Sequence, residues 1–66
     1  MKVRFNANKA TGEYPSLTHG KIYEVEEIIE MTYDDSNEKG LHYMLYEDDH
    51  DEQEPYEVDI FDIVEE

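Results

Sequence analysis

Apolar residues in this chain fall on alternate positions in short runs, and turn-forming stretches separate each run from the next. A period of two is that of a strand with one buried face. Several such runs at spacings of roughly 8–12 residues specify a small all-β domain, a barrel or a sandwich. The first run, Lys2-Val3-Arg4-Phe5-Asn6-Ala7, puts Val3, Phe5 and Ala7 on one side. The stretch 8–16 contains Thr11-Gly12 and Tyr14-Pro15. The residue before a proline is pushed toward extended backbone, so this stretch reads as an exposed loop without helix.

Gly20 suits a turn, and a long run follows it. With period two, Tyr23, Val25, Ile29, Met31 and Tyr33 share a face on which Glu27 is the exception, while Glu24, Glu26 and Glu30 line the other. The same segment allows a helix, because Ile22, Val25, Ile29 and Thr32 follow spacings of three and four. Its β-branched and tyrosine content favours a long, bent strand. Residues 34–40 are turn formers and read as a hairpin loop. In the next strand Leu41, Tyr43 and Leu45 alternate with His42, Met44 and Tyr46, so both faces carry apolar groups and the strand belongs inside the sheet. Beyond an acidic stretch, Tyr56 and Val58 alternate with Glu57 and Asp59 after Pro55. A short helical turn around residues 59–61 followed by a closing strand completes the chain.

With 66 residues there is room for one domain and one small core, since a chain this short buries only about 60% of its unfolded surface. No cysteine is present, which removes disulfides, thiolate zinc sites and cysteine nucleophiles and points to a reducing, cytoplasmic setting. The residues after Met1 offer no apolar stretch suited to a signal peptide or a membrane span, so neither export nor membrane association is expected.

Charge then decides which functions fit. Nineteen acids stand against five Lys and Arg, a formal charge of -14, and the imbalance is uneven along the chain. Residues 1–21 hold four basic residues and Glu13, a balance of +3; residues 22–66 hold eighteen acids and Lys39, a balance of −17. A field of that sign repels phosphate, so direct binding of DNA or RNA is disfavoured. Carboxylates that repel one another in a compact state are also expected to titrate higher when folded, which would make the domain more stable as pH falls from 7.

The order of elements, with Leu17-Thr18-x-Gly20-Lys21-x-Tyr23-x-Val25, Tyr43-x-Leu45-x-Glu47-Asp48-Asp49, and Tyr56-Glu57-Val58 before Phe61-Asp62-Ile63-Val64, resembles the SH3-like barrels. More narrowly, it resembles the small acidic SH3-like proteins of bacteriophage and Gram-positive bacteria. The likeness spans most of residues 15–65. It implies one five-stranded barrel over 1–66, in which Gly20 turns into the second strand, the acidic turn joins two central strands and the last aromatic closes the barrel. Two departures bear on function. The chain has no tryptophan for a proline-peptide groove, and no basic loops of the kind nucleic-acid-binding SH3-like modules use.

Six of the eight residues in 47–54 are acidic and His50 sits among them, a composition that suits calcium. The spacing does not. An EF-hand loop begun at Asp35 would need oxygen ligands where Lys39 and Tyr46 stand. A specific metal site is therefore not expected, and no cofactor is called for. Ser16, Ser36 and the threonines lack a patterned base, and chance alone pairs carboxylates in so acidic a chain, so catalysis is not expected either. His19, His42 and His50 have no ligand spacing, and His42 between Leu41 and Tyr43 reads as a partly buried strand residue.

What remains is contact chemistry. Tyr14 beside Pro15 and Tyr56 after Pro55 are the aromatic candidates for exposed contacts, while Tyr23, Tyr33, Tyr43 and Tyr46 belong to the core and its rim. The acidic candidates are Glu24, Glu26, Glu30, Glu47, Asp48, Asp49, Asp51, Glu52 and Glu54. The expected partner is a basic surface on a cytoplasmic protein, in a phage setting a host protein. Two alternatives stand beside it. One is cation binding through 47–54. The other is mimicry of nucleic acid toward a nucleic-acid-binding protein: alternate strand residues lie about 6.7 Å apart, near twice the roughly 3.4 Å rise per phosphate, so Glu24, Glu26 and Glu30, or Glu57 and Asp59, would match every second phosphate.

Overall fold

A computed structural model describes residues 1–32 and 39–66; Tyr33 and residues 34–38, most of the expected hairpin loop, lie outside the described residues. The domain is all-β. Strands β1 (Lys2–Phe5), β2 (Ile22–Thr32), β3 (Lys39–Leu45), β4 (Pro55–Glu57) and β5 (Phe61–Glu65) form one sheet in the order β4-β3-β2-β1-β5, with every ladder antiparallel. The sheet is open, with β4 and β5 as its edges. No helix among the described residues is long and apolar enough to cross a membrane.

β2 is the central strand and joins the two halves of the sheet. Residues 22–24 pair with β1, and residues 25–32 pair with β3. Between them the register shifts: Val25 faces Leu45, whereas Glu27 faces Met44, so one extra residue is accommodated as a bulge. An extra residue bends the strand and reverses which side each later side chain takes. Before the bulge, Tyr23 and Val25 point into the core. After it, Ile28 and Glu30 share the side of Tyr43 and Leu41, while Ile29 and Met31 share the side of His42 and Gly40. Glu27, the exception in the expected face, marks the break. The face drawn through Tyr23, Val25, Ile29 and Met31 is therefore two faces, and Glu30 leaves the stripe of Glu24 and Glu26.

The ends of the strands also differ from the expected ones. β1 stops at Phe5, and a 3-10 turn covers Ala7–Lys9, where an exposed loop without helix is expected. Asn6 causes this: its side chain accepts a hydrogen bond from the Asn8 amide at 3.0 Å, an N-cap that offers the backbone an alternative to the ladder. A second 3-10 turn, Val58–Ile60, sits before β5, close to the expected helical turn, so Val58 and Asp59 do not continue the alternation of β4.

Among the described residues ten make the core: Val3, Phe5, Leu17, Tyr23, Val25, Tyr43, Leu45, Tyr56, Ile60 and Phe61. Phe61 meets Phe5, Tyr43 and Tyr56 edge-on at centroid distances of 6.0, 5.8 and 6.4 Å. Such pairs add about 0.5–1.5 kcal/mol each beyond their area. Tyr56 is buried, which corrects its assignment as an exposed contact. Tyr14 is half-buried against Phe5 and Tyr56. A chain with so few large aliphatic groups fills its small interior with aromatic rings, and both tyrosines are used for that.

Candidate functional site

The acidic stretch after β3 does not hang in solvent as a simple loop. Two of its carboxylates are fastened inward, and they give the rest its shape. Asp48 is 4% exposed. Its Oδ1 accepts the amides of His50 at 2.8 Å and Glu52 at 3.1 Å, and its Oδ2 accepts the Tyr56 hydroxyl at 2.9 Å. Burial pushes this carboxyl up, but the two amides and the hydroxyl outweigh it and hold Asp48 below the usual carboxylate range. Asp51, at φ 57°, lets the chain reverse inside this cage.

Asp49 joins the stretch to the loop between β1 and β2. Its amide donates to the Ser16 carbonyl at 2.9 Å. Its carboxylate accepts the Lys21 ammonium at 2.7 Å, the Thr18 hydroxyl at 2.6 Å and the Tyr23 hydroxyl at 2.9 Å. Tyr23 accepts the Thr18 amide at 2.7 Å in turn, so a buried strand residue orients the junction. The Lys21 ammonium, Thr18 and Tyr23 hold the Asp49 pKa at about 2 against the opposing effect of burial. Ser16 Oγ and His50 Nδ1 share a hydrogen bond at 2.7 Å across the same junction.

These contacts gather acids that are far apart in the chain. The Tyr46 amide donates to the Glu24 carbonyl at 3.1 Å, and Gln53 Nε2 donates to the Glu26 carboxylate. Glu24 and Glu26 of β2 thus stand beside Glu47, Asp51, Glu52 and Glu54, all exposed. The remaining acidic candidates stand in other surroundings. Glu30 lies past the bulge, 3.4 Å from the Lys39 ammonium. Asp48 is buried, and Asp49 is committed to Lys21. The regular strand spacing offered to phosphates is absent as well: Glu30 is on the other face, and Asp59 sits in a 3-10 turn.

Between β2 and the acidic stretch runs a groove of about 530 Å³, lined by Lys21, Ile22, Tyr23, Glu24 and Tyr46 to Asp49 with Asp51. Ile22 is 44% and Tyr46 52% exposed there. Carboxylate oxygens of Asp48, Glu52 and Glu54 lie within 4.8 Å of one another, and three donors already share the two oxygens of Asp48.

For general-base chemistry, the Ser16–His50 contact would need a group fixing the other ring nitrogen of His50. None does so among the described residues, and the pair serves to join two loops. No sequence signal announced it, because 34 positions separate the two residues. His42 is buried, and its Nδ1 donates to the Gly40 carbonyl at 3.1 Å. Elsewhere, Asp62 is held below the usual carboxylate range by the Lys9 ammonium at 2.5 Å and by Asn6. Asp48, Asp49 and Asp62 thus move opposite to the direction expected from repulsion alone, since each has local donors that outweigh the distant acids. The chain matches no protein-family model, no curated protein and no solved structure.

Proposed function

We propose that this chain is a small acidic interaction module that binds a basic surface of a cytoplasmic protein, without catalysis of its own. The observation that carries the reading is the convergence of Glu24 and Glu26 with Glu47, Asp51, Glu52 and Glu54 on one exposed band, while Asp48 and Asp49 are spent holding that band in place. A fixed, single-sign surface attracts an oppositely charged partner and speeds encounter by tenfold or more at low salt. It also limits the loss of side-chain and loop entropy on binding.

The strand order β4-β3-β2-β1-β5, with a 3-10 turn just before β5, supports the proposal that the domain is an SH3-like barrel of the kind found among small acidic phage and Gram-positive proteins. In that setting the partner is a host protein. The test is an affinity purification from the native host with a salt series. Partners retained at low salt should be basic and should leave as ionic strength rises. Partners that persist unchanged at about 1 M salt, where charges more than about 3 Å apart are screened, would sink the reading.

A further inference from the structure

We infer that the groove between β2 and residues 46–51 receives an arginine side chain of the basic partner; this rests on the acidic-module reading above and gives it a point of attachment. Two apolar side chains lining the groove are uncovered: Ile22 and Tyr46 are each about half exposed, at 44% and 52%. Its rim is acidic. Among the described residues the side chains of Glu24 and Glu47 make no hydrogen bond or ion pair, and Asp51 stands beside them.

One wall already displays the same chemistry within the molecule. The Lys21 ammonium lies 5.3 Å over the Tyr23 ring centroid and 2.7 Å from Asp49, a cation held between an aromatic face and a carboxylate. Tyr46 with Glu24 and Glu47 offers those two components again, on the solvent side and without a cation of the chain's own. Lys21 is the one base among nine lining residues that include five acids, and it is engaged. A partner therefore has to bring the positive charge. Arginine fits better than lysine. Its planar guanidinium lies flat on an aromatic face while its edge forks to a carboxylate, and it is less strongly hydrated than an ammonium.

The test uses the full chain, isotopically labelled, at low salt, with a blocked Gly-Gly-Arg-Gly-Gly peptide and its lysine and citrulline counterparts. Citrulline keeps the shape and removes the charge. The arginine peptide should shift the amides of Ile22, Tyr46, Glu47 and Asp51, the lysine peptide should bind about two- to fivefold more weakly, and the citrulline peptide should not saturate. Tyr46→Leu should bring arginine down to the affinity of lysine, and Glu47→Gln should weaken both peptides. Both sites are exposed, so the folded spectrum is retained. Equal binding of citrulline, or an arginine affinity untouched by Tyr46→Leu, overturns the inference. Polylysine separates it from the broader reading. Shifts confined to residue 26 and residues 52–54, with the groove silent to every arginine probe, would overturn the groove and leave the acidic band standing. No binding of polylysine would overturn both.

Discussion

Asp49→Asn isolates the contact that fixes the acidic band to the rest of the domain. Asparagine keeps the shape of the side chain and one acceptor, and it removes the charge that Lys21 meets at 2.7 Å. The pKa of Asp49 falls from 3.8 to about 2 on folding. At about 1.4 kcal/mol per pH unit, and with the side chain only 19% exposed to solvent screening, ionised Asp49 contributes about 2 kcal/mol to the native state. A domain of this size loses roughly 4–8 °C of Tm per kcal/mol, so the variant should melt about 8–16 °C lower at pH 7. The pH dependence carries the stronger test. Because the folded pKa lies below the unfolded one, the contribution is complete above pH 5 and disappears as pH falls through the carboxylate range toward 2. The gap between the two proteins should stay constant from pH 7 to 5, halve near pH 3 and nearly close at pH 2, in thermal melts followed by circular dichroism. Relief of repulsion among the other acids acts on both proteins alike and cancels in the difference. A gap that does not narrow between pH 5 and 2, or a variant within about 2 °C of the parent at pH 7, would refute the reasoning.

Three further outcomes are expected. Tyr56→Phe leaves the ring in the core and removes the hydroxyl that Asp48 Oδ2 accepts at 2.9 Å; it should cost about 1–3 kcal/mol and speed amide exchange over residues 48–52, and unchanged exchange there would count against the caged loop. Gly20 has φ +82° with open space where a Cβ would stand, so Gly20→Ala should cost about 1–2 kcal/mol through the backbone alone, and a Tm equal to the parent's would contradict that. Since donors already occupy both oxygens of Asp48, millimolar calcium should leave the melting curve in place. A rise beyond about 5 °C, roughly 1 kcal/mol of binding linkage, would favour the cation reading.

The alternation of Val3 and Phe5, of Tyr23 and Val25, and of Tyr43 and Leu45 is legible without coordinates because each pattern lies within a few neighbouring residues and has one dominant physical cause, the burial of one strand face. The same holds for the all-β class, for a short helical turn just before the last strand and for the concentration of acids at 47–54. Even the bulge left a trace, as Glu27 interrupting an apolar face. Its consequence was not legible. Which side Glu30 takes depends on how β2 pairs with β3, and one added residue reverses it.

Function depends on the nonlocal part. Composition treats the acids as alike, whereas folding sorts them by what they meet. Asp48 meets the amides of its own turn and the hydroxyl of Tyr56, eight residues on; Asp49 meets Lys21 and Tyr23 at the start of β2. Glu24 and Glu47 meet solvent across a groove that neither segment forms alone. The sequence determined that this would be a small acidic β domain, because strand period and net charge are local or additive properties. Only the tertiary structure decided which carboxylates hold it together and which face outward, because that sorting depends on contacts between residues up to 56 positions apart.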